Sequence, residues 1–390
     1  MLNIDDFSRF SAVETPFYYY DMDLFSRTLD TVRALSEKYG IKLHYAVKAN
    51  SEERILRMMS SAGLGADAVS ANEVVRAIEC GFSPDGVMFA GVGKTDREIR
   101  TALEVGIGCF NVESLPEMDA IDSVAASMGV VAPVAFRINP DIDPHTHKYI
   151  TTGMEENKFG ISKFEFDAAI EKVRSCGHLR FTGLQFHIGS QITEVESVFG
   201  LESKCAREIA DYFESRGMSI SHIDFGGGLG VDYESPDENP VADFETWFKA
   251  LRTYFPEGCK YELHVEPGRS MVAQCASLVT SLVYVKKSET KTFLITDAGM
   301  NDLIRPALYG AYHRVENVSA AVRGEDEENQ VYDVVGPVCE SSDVWGEGRK
   351  LPESFRGDRL AIRTAGAYGQ TMASRYNLRD LAPAVYSDEL

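Results

Sequence analysis

The chain has 390 residues, 44% of them hydrophobic, with 60 acidic against 39 basic side chains and a net charge of −21. That length buries a large core and predicts two domains, whereas the acidic balance argues against nucleic acid or an anionic membrane, since both reward clustered Lys and Arg. No apolar run reaches the roughly 18 residues that span a bilayer, and MLNIDDFSRF lacks the basic and apolar segments of a signal peptide. Seven scattered cysteines without a CxxC pair suit reduced thiols, so a cytoplasmic location is expected.

In chain order, FYYYD (17–21) reads as a lone strand, and Leu24 to Tyr39 as an amphipathic helix ending at Gly40. Short apolar runs follow at 43–47, 66–69, 87–90, 109–112, 131–138, 181–188, 220–225 and 261–265, separated by segments of helical period such as Glu52–Ala62, Glu73–Cys80, Glu98–Val105 and Phe164–Ser175. Glycines at 63, 81, 106, 129, 177 and 217 stand where left-handed C-caps belong. Ser70–Glu73, Thr95–Glu98, Ser114–Glu117 and Ser162–Glu165 fit the capping box. Eight strand–helix alternations predict an α/β fold, a (β/α)8 TIM-like barrel; a doubly wound open sheet is the alternative. After residue 270 the runs at 277–286, 291–296, 330–335 and 359–364 alternate without long helices, predicting a second, antiparallel C-terminal β domain. The expected division is a barrel over 25–270 and a β domain over 271–390, joined by an N-terminal strand within 1–24.

Barrel enzymes carry their chemistry at the C-terminal ends of the strands. Those ends present Lys48, then Asp67 with Ser70, Arg137 with Asn139, His187, the glycines Gly226, Gly227 and Gly228, and finally Glu266 followed by Pro267, Gly268 and Arg269. In LHYAVKAN (43–50) a lysine near the end of a buried strand has its amine pushed toward the neutral, nucleophilic form, or else snorkels out to water. The FGGGLG run (225–230) lets backbone N–H groups approach a phosphate, although an ordinary tight turn uses the same glycines. An amine and a phosphate cradle on one rim suggest pyridoxal 5′-phosphate, for which Glu266 is the candidate partner of the pyridine nitrogen. A salt bridge to Arg269 is the competing role for Glu266, and a satisfied core position the competing role for His187. His145 and His147 lack further ligands at sensible spacing, so no metal is expected.

These residues sit in longer motifs: YAVKAN (45–50), RINPDIDPHTHKYITTGMEENKFGI (137–161), HIGSQ (187–191), GGGLG (226–230), EPGR (266–269), DAGMNDLIRPALYGAYH (297–313), GPVCESSD (336–343) and GAYG (366–369). In that order, over nearly the whole chain, they resemble the diaminopimelate decarboxylases, a family of fold type III pyridoxal-phosphate enzymes. The resemblance implies that Lys48 carries the cofactor covalently, His187 lies against its ring, and Glu266 pairs with its nitrogen. It also implies that Asp67, Ser190, Gly226 to Gly228, Pro267, Gly268 and Arg269 belong to the cofactor site. Arg269, Arg305 and Tyr309 would bind substrate carboxylate, Glu340 the distal amino group, and Tyr368 both cofactor and substrate. Cys339 would be the proton donor, delivered with Glu340 from the second subunit of a homodimer with shared active sites. Two segments depart from the pattern: ADAVSANE (66–73) is less glycine-rich than usual, and NLRDLAPAVYSDEL (377–390) drifts from it.

The expected reaction is decarboxylation of meso-2,6-diaminopimelate to L-lysine. Arg305 together with Glu340 suits a substrate with both carboxylate and ammonium at its far end, because a buried arginine left unpaired by an ornithine-type substrate is costly; a structural salt bridge is the competing role for Arg305. A decarboxylase of another basic amino acid and a non-catalytic binding relative are the competing readings; retention of Lys48, Glu266, Cys339 and Tyr368 together argues against the latter.

Overall fold

The structure is a computed structural model that describes residues 12–140, 158–325, 327 and 329–390. His145, His147 and most of the motif at 137–161 lie outside the described residues. The chain divides into two compact units. One comprises 29–230 and 243–268; the other comprises 1–28, 231–242 and 269–390.

The β unit holds β1 (Phe17–Tyr20), and the first unit is a closed barrel of eight parallel strands. These are β2 (Ile41–Ala46), β3 (Gly65–Ala68), β4 (Val87–Phe89), β5 (Cys109–Val112), β6 (Ala132–Arg137), β7 (Leu179–Gln185), β8 (His222–Asp224) and β9 (Glu262–Val265). Closure comes from β9 pairing with β2, Ile41 opposite Leu263. Alternation sorts the side chains. Leu43, Tyr45, Phe89, Phe110, Val112, Val134 and Phe136 are buried apolar positions on the outward face, where the surrounding helices cover them. The residues between them point inward, and contacts across the barrel fix the direction: Asn111 on β5 reaches Glu266, which follows β9. Gly65 and Gly183 have no side chain because rings of neighbouring strands, His44 and His222, occupy that space.

The punctuation of the helices matches the sequence in most places. Thr95–Glu98 and Ser162–Glu165 form complete capping boxes. Ser70 and Ser114 make only their own half, since Glu73 turns to the Val69 N–H and Glu117 to the Glu113 N–H and Lys94. Gly106 and Gly129 end their helices in the left-handed conformation, as expected. Gly177 is an exception: the helix Phe166–Ser175 ends at Cys176 in extended conformation, so no left-handed residue is needed there.

The second unit carries β10 (Ala276–Lys287), β11 (Thr292–Thr296), β12 (Val315–Asn317), β13 (Gln330–Val335), β14 (Val344–Leu351), β15 (Arg359–Ile362) and β16 (Ala384–Tyr386). Its sheet runs β12-β15-β10-β11-β13-β14, and β1 pairs antiparallel with β10 and parallel with β16. The sheet is thus mostly antiparallel rather than wholly so, because β11 and β13 also pair in parallel. No described helix is long and apolar enough to cross a membrane.

Candidate active site

In the barrel unit, Lys48 stands in the short turn Val47–Ala49, one step past the end of β2. Lys48 thus stands at the strand end, as expected, and of the two readings for its side chain the more exposed one holds: the turn lifts it onto the rim, where it is 38% exposed. Its Nζ lies 3.7 Å from Asp67 Oδ2 at the end of β3. Asp67 is fully enclosed, and neither carboxylate oxygen accepts a hydrogen bond within the described residues. Burial raises its carboxyl above the ordinary range, against the pull of Lys48 and Arg137.

Glu266 is buried, and two amides hold it. Gln185 Nε2 donates at 2.9 Å and Asn111 Nδ2 at 3.3 Å. Burial, and then the negative charges of Asp224 and Asp67, drive its carboxyl well above the usual range. Asp224 is likewise pushed up to about 7, mainly by burial, although its Oδ1 accepts the Gly226 N–H at 2.8 Å. Three acids therefore share one enclosed space, and they retain protons there more readily than acids in water.

The glycine run follows β8, and each glycine has a steric reason. A Cβ at Gly226, Gly227 or Gly228 would collide with the carbonyl of Phe186, Glu266 or Gly189, so three loops meet at backbone contact. The Gly227 N–H donates to His187 Nδ1 at 3.2 Å, which fixes that nitrogen as the acceptor. Burial, followed by the positive charges of Lys48 and Arg137, holds the His187 imidazole well below its ordinary range, hence neutral. Pro267 accepts the Ala46 N–H through its carbonyl, and a Cβ at Gly268 would press on Ala46 and Ala49. Ser190 borders the same loop, one residue after Gly189.

In the β unit, Arg269 and Arg305 are both buried, and Arg269 Nη1 donates to the Tyr233 hydroxyl at 2.6 Å. Arg305 sits over the Tyr233 ring, with Cζ 4.8 Å from its centroid, and its Nη1 meets His313 Nε2 at 2.8 Å. Among the described residues, Arg305 therefore has a phenol and an imidazole as partners and no carboxylate. Tyr368 places its ring 5.0 Å from the Arg269 Cζ and holds a left-handed φ of 55°, a sparsely populated conformation for a residue with a Cβ. Tyr309 closes the short helix Arg305–Tyr309. Cys339 and Glu340 lie exposed in a turn, where Glu340 accepts the Tyr376 hydroxyl at 2.6 Å and the Cys339 N–H reaches Asn377 Oδ1 at 3.4 Å.

Each unit thus gathers its own share of the candidate residues: Lys48, Asp67, His187, Ser190, the glycines and Glu266 in one, and Arg269, Arg305, Tyr309, Cys339, Glu340 and Tyr368 in the other. Sequence reasoning missed Asn111, Gln185, Asp224, Tyr233 and His313. A usable signal existed for the first three, since polar side chains at inward positions of a parallel barrel need partners. It also missed the supports beneath the rim: the buried Arg137–Glu113 pair at 2.7 Å and the Lys94–Glu117 pair at 2.6 Å.

Comparison with known proteins gives a consistent result. Residues 25–273 match the family model described as pyridoxal-dependent decarboxylase, pyridoxal binding domain. The chain is 46% identical, over the full length of both, to the diaminopimelate decarboxylase of Bacteroides thetaiotaomicron. Among solved structures, the diaminopimelate decarboxylase of Helicobacter pylori complexed with L-lysine is 36% identical with a TM-score of 0.88, covering 98% of this chain and 94% of that one. The M. jannaschii diaminopimelate decarboxylase in complex with L-lysine is 33% identical with a TM-score of 0.87, over 97% and 88% of the two chains.

Proposed function

The chain belongs to the pyridoxal-dependent decarboxylases and, within them, to the diaminopimelate decarboxylases, and from that premise we propose how its residues divide the work. It is a pyridoxal 5′-phosphate-dependent carboxy-lyase that converts meso-2,6-diaminopimelate to L-lysine and carbon dioxide. The residues present fit the cofactor. Asp67 and Glu266 are buried acids near an amine, His187 is a neutral imidazole, and the Gly228 N–H has no acceptor among the described residues.

Bound there, pyridoxal phosphate supplies the electron-poor ring that takes up the electron pair left on the α-carbon as carbon dioxide departs. Lys48 offers the amine that attaches it, and the loop of Gly226 to Gly228 with Ser190 and Gly268 holds its phosphate. Glu266, kept in one orientation by Asn111 and Gln185, would hold a proton at the ring nitrogen, and His187, neutral, would border the ring without adding charge. Arg269, Arg305 and Tyr309 bind substrate carboxylate, Tyr368 orients substrate, and Glu340 receives the distal ammonium. The Cys339 thiol protonates the α-carbon. We also propose that Cys339 and Glu340 serve the site of a second copy in a cytoplasmic homodimer. Mixing Lys48→Ala with Cys339→Ala tests this, since shared sites restore part of the activity and independent sites restore none.

The observation that carries the choice of substrate is Arg305, a buried cation whose partners within the described residues are uncharged. Leaving such a group without an anion is costly, so a substrate lacking a second carboxylate is disfavoured. Carbon dioxide release from meso-diaminopimelate is expected to exceed that from ornithine, arginine and lysine by at least about tenfold in kcat/KM. Better turnover of ornithine or arginine overturns the assignment. Lys48→Ala is expected to lower turnover by roughly 10³-fold or more and to abolish the visible absorbance of the attached cofactor.

A further inference from the structure

Arg269 and Arg305 carry like charges into a buried region, where little water screens their repulsion. Something must hold them side by side. Tyr233 contacts both, accepting a hydrogen bond from Arg269 Nη1 at 2.6 Å and lying under the Arg305 guanidinium at 4.8 Å. Behind Arg305, His313 Nε2 must be the acceptor, because a guanidinium N–H can only donate. The His313 Nδ1–H is then committed to the Arg363 carbonyl at 2.9 Å. The carboxylates of this region are already engaged, with Asp237 and Glu316 pairing the Arg363 guanidinium at 2.8 and 2.7 Å.

A phenol is well suited to the position. Its oxygen accepts from one guanidinium and its ring face attracts the other, yet it brings no full negative charge to compete with an incoming anion. We propose that Tyr233 is the positioning residue that holds Arg269 and Arg305 together as a two-pronged receptor for a substrate carboxylate, with His313 seating Arg305 from behind. The inference rests on the substrate reading above and adds to it a residue that does not itself touch the reacting atoms. Tyr233 lies three residues past Gly230, the end of the glycine run, so the segment 231–242, grouped with the β unit, carries the brace for the arginines.

Tyr233→Phe keeps the ring and removes the acceptor, a hydrogen bond to a charged group. It is expected to raise KM for meso-diaminopimelate about tenfold while kcat stays within about threefold and the melting temperature holds. In an Arg305→Met background the same change is expected to raise KM less than about twofold, because both substitutions disable one receptor. A KM within twofold of wild type, or an equal rise in both backgrounds, overturns the proposal. Calorimetric titration of the holoenzyme with glutarate reads the receptor without turnover, and Tyr233→Phe is expected to weaken that binding about tenfold. Glutarate binding that is absent in wild type, or unchanged in the variant, also overturns it. Tyr233-dependent glutarate binding in an enzyme that releases no carbon dioxide from meso-diaminopimelate instead sinks the substrate assignment and leaves the receptor standing.

Discussion

A single residue lies between His222 and Asp224 along β8, and a single residue likewise lies between His264 and Glu266, which follows β9. Toward the start of the strands the barrel interior holds His44, His222 and His264, with rings packed 4.8 and 4.9 Å apart. Toward the C-terminal rim it holds Asp67, Asp224 and Glu266. Burial is the largest influence on both groups and favours the uncharged form of each, but the consequences for pH are opposite. His44 and His222 are pushed from 6.5 down to about 4, so the native state binds fewer protons than the unfolded one. The stability tied to them is intact above 6.5 and drains away as pH falls toward 4. Asp224 is raised from 3.8 to about 7, so its native state binds more protons, and the associated stability fades as pH climbs from 3.8 to 7. One end of the barrel limits the fold from the acid side, the other from the alkaline side.

The sharpest way to separate the two ends is Glu266→Gln. It is expected to lower kcat roughly 10²-fold with little change in KM and no loss of melting temperature at pH 7, since it removes a buried acid, its carbonyl oxygen still accepts from Asn111, and the Gln185 amide can turn its unpartnered Oε1 to accept from the new NH2 group. A drop in stability as large as a core deletion would mean that the rim is structural after all. Next comes Asp224→Asn, which can still accept the Gly226 N–H. In urea titrations of cofactor-free protein it is expected to gain on the order of 3 kcal/mol at pH 8 and almost nothing at pH 4. At the other end, His222→Phe retains the stacking with His264 but cannot be protonated. The stability difference between pH 7 and pH 5 is expected to shrink by about 2 kcal/mol, and an unaltered difference would show that the histidines do not set the acid limit. Thr95→Ala is the smallest change and belongs to neither end. Loss of that cap is expected to cost about 1 kcal/mol at pH 5 and pH 8 alike.

The alternation that distinguishes the two ends is also what made the barrel legible. Runs such as CFNV, LQF and HIDF set polar residues among apolar ones at a two-residue period, and all eight strands were expected where they occur to within a few residues. The rim residues followed from the strand ends alone. What could not be read were pairings created by closure. Asn111 and Glu266 are 155 residues apart, and nothing local to either indicates that β5 and β9 face one another across the interior. Tyr233 lies in VDYESP, a polar segment with no period, and its relation to Arg305 exists only once the β unit has assembled. Strands β12, β14 and β16 escaped for a different reason. VEN and AVY are too short to show a pattern, and VWGEGRKL carries charges at exposed positions where an apolar alternation would have announced a strand. The end of β2 was placed one residue late because the run LHYAV continues the apolar pattern past Ala46, where the backbone has already turned.

The His313 contact has a consequence for how the enzyme responds to its surroundings. Histidine is usually the residue that reports on acidity near neutrality. Here the ring has its one hydrogen directed at the Arg363 carbonyl and its lone pair at a cation, and burial followed by the Arg305 charge lowers it to about 3. Taking up a second proton would force the guanidinium away from the only nitrogen that can accept it. The imidazole therefore behaves as an electrical spacer, and it stays uncharged beside its neighbouring arginine at any pH well above 3.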